Sequence, residues 1–182
     1  ADTTDISFSG AKAGITIEGG KNVVVNDATA DEAITIGATT GAVGTITVTD
    51  TKQGTGDIAV DGGTDVTITA TASADLVSVG GGHIDVGQDV SPIAPTGAVK
   101  ITQNLNATGG DNDVDDLTGG DITVTGGKTV EITINATSTA TKAAADGDIV
   151  IGTTTVTGDS KTTDVTVTQN ASVTTFTTPV VA

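Results

Sequence analysis

Short runs of strictly alternating apolar and polar residues recur along this 182-residue chain, and they predict strands rather than helices. In Ile15-Thr-Ile17, Ile46-Thr-Val48, Ile58-Ala-Val60, Ile84-Asp-Val86 and Ile122-Thr-Val124 every second side chain is apolar, which places those side chains on one face of a pleated strand. No segment keeps a 3.6-residue apolar period for long. Residues 136–145, Ala-Thr-Ser-Thr-Ala-Thr-Lys-Ala-Ala-Ala, hold the one plausible helical turn, and their threonine content suits a surface loop equally well.

The alternating runs belong to a repeat. One phrase occurs three times, as Ile15-Thr-Ile-Glu-Gly19-Gly20-Lys-Asn-Val23-Val-Val25, Ile58-Ala-Val-Asp-Gly62-Gly63-Thr-Asp-Val66-Thr-Ile68 and Ile122-Thr-Val-Thr-Gly126-Gly127-Lys-Thr-Val130-Glu-Ile132. Two strands flank a Gly-Gly turn, because glycine alone takes positive φ at consecutive positions without a Cβ clash. A second phrase follows each copy, from Ile34-Thr-Ile36-Gly37 to Thr45-Ile-Thr-Val48, from Ile84-Asp-Val86-Gly87 to Val99-Lys-Ile101, and from Ile149-Val-Ile151-Gly152 to Val165-Thr-Val167. The array divides approximately into units 1–33 (partial), 34–82, 83–148 and 149–182 (partial), each full unit carrying four short strands. Its period is loosened by Ser91-Pro-Ile-Ala-Pro95, where two prolines forbid a central strand, and by an acidic stretch from Gly109 to Gly120.

Two all-β architectures use such units: a β-solenoid of short stacked strands, and tandem immunoglobulin-like β-sandwich modules. A sandwich fills a gap of about 10 Å between its sheets with large side chains, often Trp or Tyr. Here the inward positions hold Val, Ile, Ala and an occasional Leu, and the strands span three to five residues, which favours the narrow interior of a solenoid.

Composition narrows the function classes. Asp far outnumbers Glu, which occurs only at Glu18, Glu32 and Glu131, and Thr supplies about a fifth of the chain; both trends favour turns and strands over helices. Without cysteine there is no disulfide framework, thiolate metal site or cysteine nucleophile. A net charge of −16 and the lack of any arginine argue against a nucleic-acid partner. No apolar run approaches the roughly 20 residues needed to span a bilayer. The opening Ala1-Asp-Thr-Thr4 fits either a mature product of signal cleavage or a fragment of a longer chain.

Gly120-Asp-Ile-Thr-Val-Thr-Gly-Gly127, Val165-Thr-Val-Thr-Gln169 and their echoes resemble the Thr/Gly/Asp-rich repeats of bacterial surface-layer proteins and large secreted adhesins, across nearly the whole chain. The resemblance implies an extracellular, cell-surface assembly protein, often calcium-dependent. The structural reading is a subunit that associates with its own copies into a lattice or filament through the bare edges of its rungs, with 5–8 and 173–181 as candidate contacts. The alternative is a repeat segment of a secreted adhesin, in which loops 91–95 and 109–120 meet a glycan or host surface.

Chemistry-bearing motifs are few. Asp111-Asn-Asp113-Val-Asp115-Asp116 spaces oxygen ligands as the start of a calcium loop does, so Asp111, Asp113, Asp115 and Asp116 are the candidate Ca2+ ligands. The sixth position is Asp116 instead of glycine and the twelfth is Ile122 instead of Glu, which excludes an EF-hand and leaves either a looser calcium site or a solvated acidic loop. Gly126-Gly-Lys-Thr129 matches the end of a phosphate-binding loop, but Ile122 stands where its first glycine belongs, and the recurring Gly-Gly pair reads as a hairpin or corner. His83, the only histidine, begins a strand after three glycines and lacks a Gly-x-Ser-x-Gly partner. The chain is therefore expected not to be an enzyme. Asn106, Asn135 and Asn170 open formal N-glycosylation sequons, which are common by chance in so Thr-rich a chain.

Overall fold

The computed structural model describes residues 6–9, 13–28, 31–75, 79–88, 93–109, 116–140 and 148–175. The alternating runs form strands, and no helix occurs among the described residues. In chain order the strands are β1 (Ile6–Ser9), β2 (Ile15–Ile17), β3 (Val23–Asp27), β4 (Ile34–Ile36), β5 (Ile46–Asp50), β6 (Ile58–Val60), β7 (Val66–Asp75), β8 (Val79–Gly80), β9 (Ile84–Val86), β10 (Ala98–Gly109), β11 (Leu117–Thr118), β12 (Ile122–Thr125), β13 (Thr129–Ala140), β14 (Ile149–Val150), β15 (Thr154–Thr157) and β16 (Asp164–Thr174).

They make three sheets, in the orders β1-β3-β5-β7-β10-β13-β16, β2-β4-β6-β9-β12-β15 and β8-β11-β14. Every pairing between these strands is parallel. The chain alternates between the two large sheets, from β7 onward by way of the third, and returns each time one strand further along, a β-solenoid-like arrangement unlike the antiparallel sheets of an immunoglobulin-like sandwich. Ile15, Ile34, Ile58, Ile84 and Ile122 pair successively, so both sequence phrases occupy the same ladder and each full unit of the repeat spans two successive rungs.

In-register pairing stacks like on like. The isoleucine column of the six-stranded sheet is buried throughout, and it faces columns such as Val25-Val48-Ile68-Ile101-Ile132 of the seven-stranded sheet, also buried. Each β-branched side chain meets a neighbour of equal shape about 4.8 Å away, so the narrow interior fills without aromatic residues.

The Gly-Gly pairs are corners. Gly19, Gly20, Gly62, Gly63, Gly126 and Gly127 all have φ between 71° and 97°, and they turn the chain from the six-stranded into the seven-stranded sheet. A second corner carries a glycine column for a different reason: a Cβ on Gly82 would overlap the carbonyl of Gly56, one on Gly120 that of Gly82, and one on Gly152 that of Gly120. Each backbone sits where its neighbour's side chain would be.

Two features depart from the sequence reading. Strands of the seven-stranded sheet lengthen from five residues in β3 and β5 to ten in β7, twelve in β10 and β13 and eleven in β16, well beyond three to five. Alternation continues past each aliphatic pair on Ala and Asn, as in Ala70-Thr-Ala72-Ser-Ala74, and small inward side chains extend a strand as well as large ones. Residues 136–140, whose composition suggests a helical turn or a surface loop, are instead the end of β13, held by pairing to Leu105–Gly109 on one side. Residues 141–147 lie outside the described residues.

Gly120→Ala is expected to cost about 1–3 kcal/mol, because the added methyl must displace a neighbouring backbone. Gly80→Ala, whose Cβ would meet only Thr55 Cγ2 at 3.9 Å, is expected to be near neutral. Urea unfolding of the two variants beside the parent checks the pair.

Candidate functional site

A set of Asp side chains, with the neutral Asn22 in the same role, serves at the strand entries. Asn22 Oδ1 accepts from the Thr45 amide at 3.0 Å, Asp31 Oδ1 from Thr55 at 2.9 Å, Asp57 Oδ1 from His83 at 2.8 Å, Asp65 Oδ1 from Ala98 at 2.7 Å and Asp121 Oδ1 from Thr153 at 2.6 Å. In each case the acceptor belongs to one rung and the amide to the equivalent corner of the next. The short Asp side chain reaches an amide one strand spacing away, and a charge-assisted bond of this kind exceeds a neutral one in strength. Glu18, with its longer reach, takes two amides, those of Thr39 and Thr40.

Of the four predicted calcium ligands, Asp116 belongs to this series. It precedes β11, is half-buried, and its Oδ1 accepts from the Asp148 amide at 3.4 Å. Asp111, Asp113 and Asp115 lie outside the described residues, so the structure does not test their convergence with Asp116. Among the described residues, no three His, Asp or Glu side chains are gathered as metal ligands.

A polar site missed by the sequence reading lies inside the narrow half of the stack. Asp27 and Asp50 pair in register at the inward ends of β3 and β5, with 2% and 1% of their surfaces exposed. Burial pushes the Asp50 carboxyl up from 3.8 to about 6, against the lowering effect of the Lys52 amide at 2.9 Å, and the neighbouring Asp27 charge adds to the rise. Two buried glutamines reach glycine corners: Gln53 Nε2 donates to the Gly82 carbonyl at 3.0 Å and Gln103 Nε2 to that of Gly120 at 3.4 Å. The signal was parity. In Val23-Val-Val25-Asn-Asp27 and Ile46-Thr-Val48-Thr-Asp50 the acid occupies the apolar phase of the alternation.

The remaining motifs are structural where they are described. At Gly126-Gly-Lys-Thr129 the amides of Gly127 and Lys128 donate to the carbonyls of Pro95 and Gly97, and that of Gly126 to Thr157, leaving no cradle for a phosphate. Pro95 and Ile93 of the proline-bearing insert thus face corners of the stack, Ile93 accepting from the Gly62 amide. His83 Nδ1 lies 3.9 Å from Asp121 Oδ2, with both side chains about half exposed. Asn135 and Asn170 sit within strands, each donating to the asparagine of the preceding rung at 2.9 Å.

No family model, curated protein or solved structure matches this chain.

The raised Asp50 carboxyl fixes a sign. Its native state holds a proton more tightly than its unfolded state, so this contribution is full below pH 3.8 and is lost as pH rises through about 6. Asp50→Asn keeps the acceptor for Lys52 and removes the charge. Relative to the parent, it is expected to gain roughly 2–3 kcal/mol between pH 4 and pH 7 and little beyond, measured by urea unfolding across that range.

Proposed function

We propose that this chain is a β-solenoid segment with a structural role outside the cell, a subunit that joins copies of itself through exposed rung edges into a surface layer or filament. What carries the reading is the outermost described strand of the broad sheet, β16. No strand lies beyond β16 in the seven-stranded sheet among the described residues. Val165 and Val167 are 50% and 45% exposed, while Val130 and Ile132, their column neighbours in β13, are buried, and Val173, beside Ser138, is 72% exposed. From Val165 to Thr174 the strand contains no charge and no proline, the usual guards of an edge, so a strand of the same phase from another copy could continue the ladder beside it.

Calcium enters this reading through Asp111, Asp113, Asp115 and Asp116. A divalent cation there would relieve part of the −16 net charge that opposes association.

The test is negative-stain electron microscopy of the purified chain in millimolar calcium and in chelator, beside Val167→Lys. The reading expects sheets or fibres from the parent in calcium, their loss in chelator, and their absence from Val167→Lys in either condition. Assemblies indifferent to chelator would remove calcium as the switch while keeping the structural role. Isolated parent particles in both conditions would favour the adhesin segment.

A further inference from the structure

The outward face of the seven-stranded sheet is a regular lattice of hydroxyl and amide side chains that neither the core nor the edges use. Thr49, Thr69, Thr102, Thr133 and Thr168 stand side by side on five successive strands, joined by direct pairing without a bulge. Two residues further along each longer strand runs the row Thr71, Asn104, Asn135 and Asn170. Strand geometry sets the grid at about 4.8 Å between rungs and about 6.6 Å along a strand.

Three properties make this face unlike the rest of the surface. In these two rows and the next, which runs from Ser73 to Ser172, no side chain is charged, although the chain carries −16. The row on the other side contains Lys100 and Glu131, and these neutralise each other at 3.3 Å. Second, the grid is stiff. Threonine is restricted at χ1, and the asparagine row is locked by Asn135 Nδ2 to Asn104 Oδ1 and Asn170 Nδ2 to Asn135 Oδ1, both at 2.9 Å. Such side-chain ladders are also a device that holds a sheet flat. Third, the row is unbroken only on this sheet: the equivalent outward row of the six-stranded sheet reads Thr16, Thr35, Ala59, Asp85, Thr123 and Thr155, interrupted at its centre by an alanine and a charge.

A neutral surface with translational order in two directions complements a partner with the same order. Charged groups would impose their own hydration, whereas a threonine row offers a hydroxyl that enters a water network and a methyl group around which water is held in an ordered shell. Ordinary ice is a solid of this kind, neutral and with surface oxygens in rows a few ångströms apart in two directions. Crystalline polysaccharide is the other ordered solid of neutral hydroxyl groups, but its sugar faces call for aromatic platforms, and the described outward positions of this sheet hold none. We propose that the Thr49–Thr168 face binds ice, adsorbing to the crystal through the threonine row and its neighbours.

The experiment uses the intact chain. A frozen hemisphere of ice is grown slowly from dilute protein, the fraction incorporated is measured, and thermal hysteresis is read on single crystals. Thr133→Lys and Thr102→Lys place a long charged side chain mid-row, and Lys100 shows that a lysine is accommodated on this face. Thr123→Lys makes the same change on the six-stranded sheet, and circular dichroism confirms that each variant is folded. The proposal expects incorporation and hysteresis for the parent and for Thr123→Lys, and loss of both for the two face variants. It is overturned if the parent is excluded from ice as a non-binding control protein is, or if all variants behave as the parent. Retention on crystalline cellulose or chitin without incorporation into ice would overturn it in favour of a polysaccharide. Loss of self-association rather than ice incorporation in Thr133→Lys would overturn it in favour of a second copy.

Discussion

Parallel hydrogen bonding between equivalent residues of successive turns is the constraint from which the rest of this structure follows. Because the register does not slip, every position has the same kind of neighbour above and below, and side-chain choice is made column by column. Isoleucine stacks on isoleucine from Ile15 to Ile122, asparagine on asparagine from Asn104 to Asn170, and glycine on a glycine carbonyl from Gly56 to Gly152. A single-residue slip would turn each aliphatic column out to solvent and bring a threonine row inside. Register and core are therefore one specification.

Electrostatics follows the same geometry. Acidic side chains sit at the corners, where the chain leaves one sheet and the next rung presents an amide with no partner in a ladder, and the preference for Asp over Glu reflects the short reach this requires. The three outward rows from Thr49 to Ser172 on the broad sheet carry no charge. Asp27 and Asp50 are enclosed instead, one above the other, and the burial that raises the Asp50 carboxyl opposes the aliphatic columns beside it.

Much of this was legible in the residues. Alternation identified the strands, the Gly-Gly pairs marked the corners, and the small inward side chains pointed to stacked rungs. Strand length was not, because the inward Ala70, Ala72 and Ala74 and the outward Asn104 and Asn106 carry little hydropathy contrast, and their place in a ladder comes from the neighbouring strands. The acidic corners were equally hidden: an Asp before a strand looks the same in sequence whether it faces water or caps the next rung. Of the predicted calcium ligands, Asp116 takes such a capping position. Asp27 and Asp50 could have been read from the phase they occupy, had parity been followed to the end of each run.

The lengthening of the seven-stranded sheet gives the stack a direction. A rung near β3 and β5 is tied to its neighbour by five paired residues, whereas β10 and β13 share twelve. Since each rung contacts only the rungs beside it, the free energy of detaching one scales with that count. The stack is thus held more weakly at β3 and β5 than at β10 and β13. Amide exchange should be faster in the coils of β3 and β5 than in a slowly opening block at β10–β13, so that a pulling force or a protease opens the weak coils before the resistant ones.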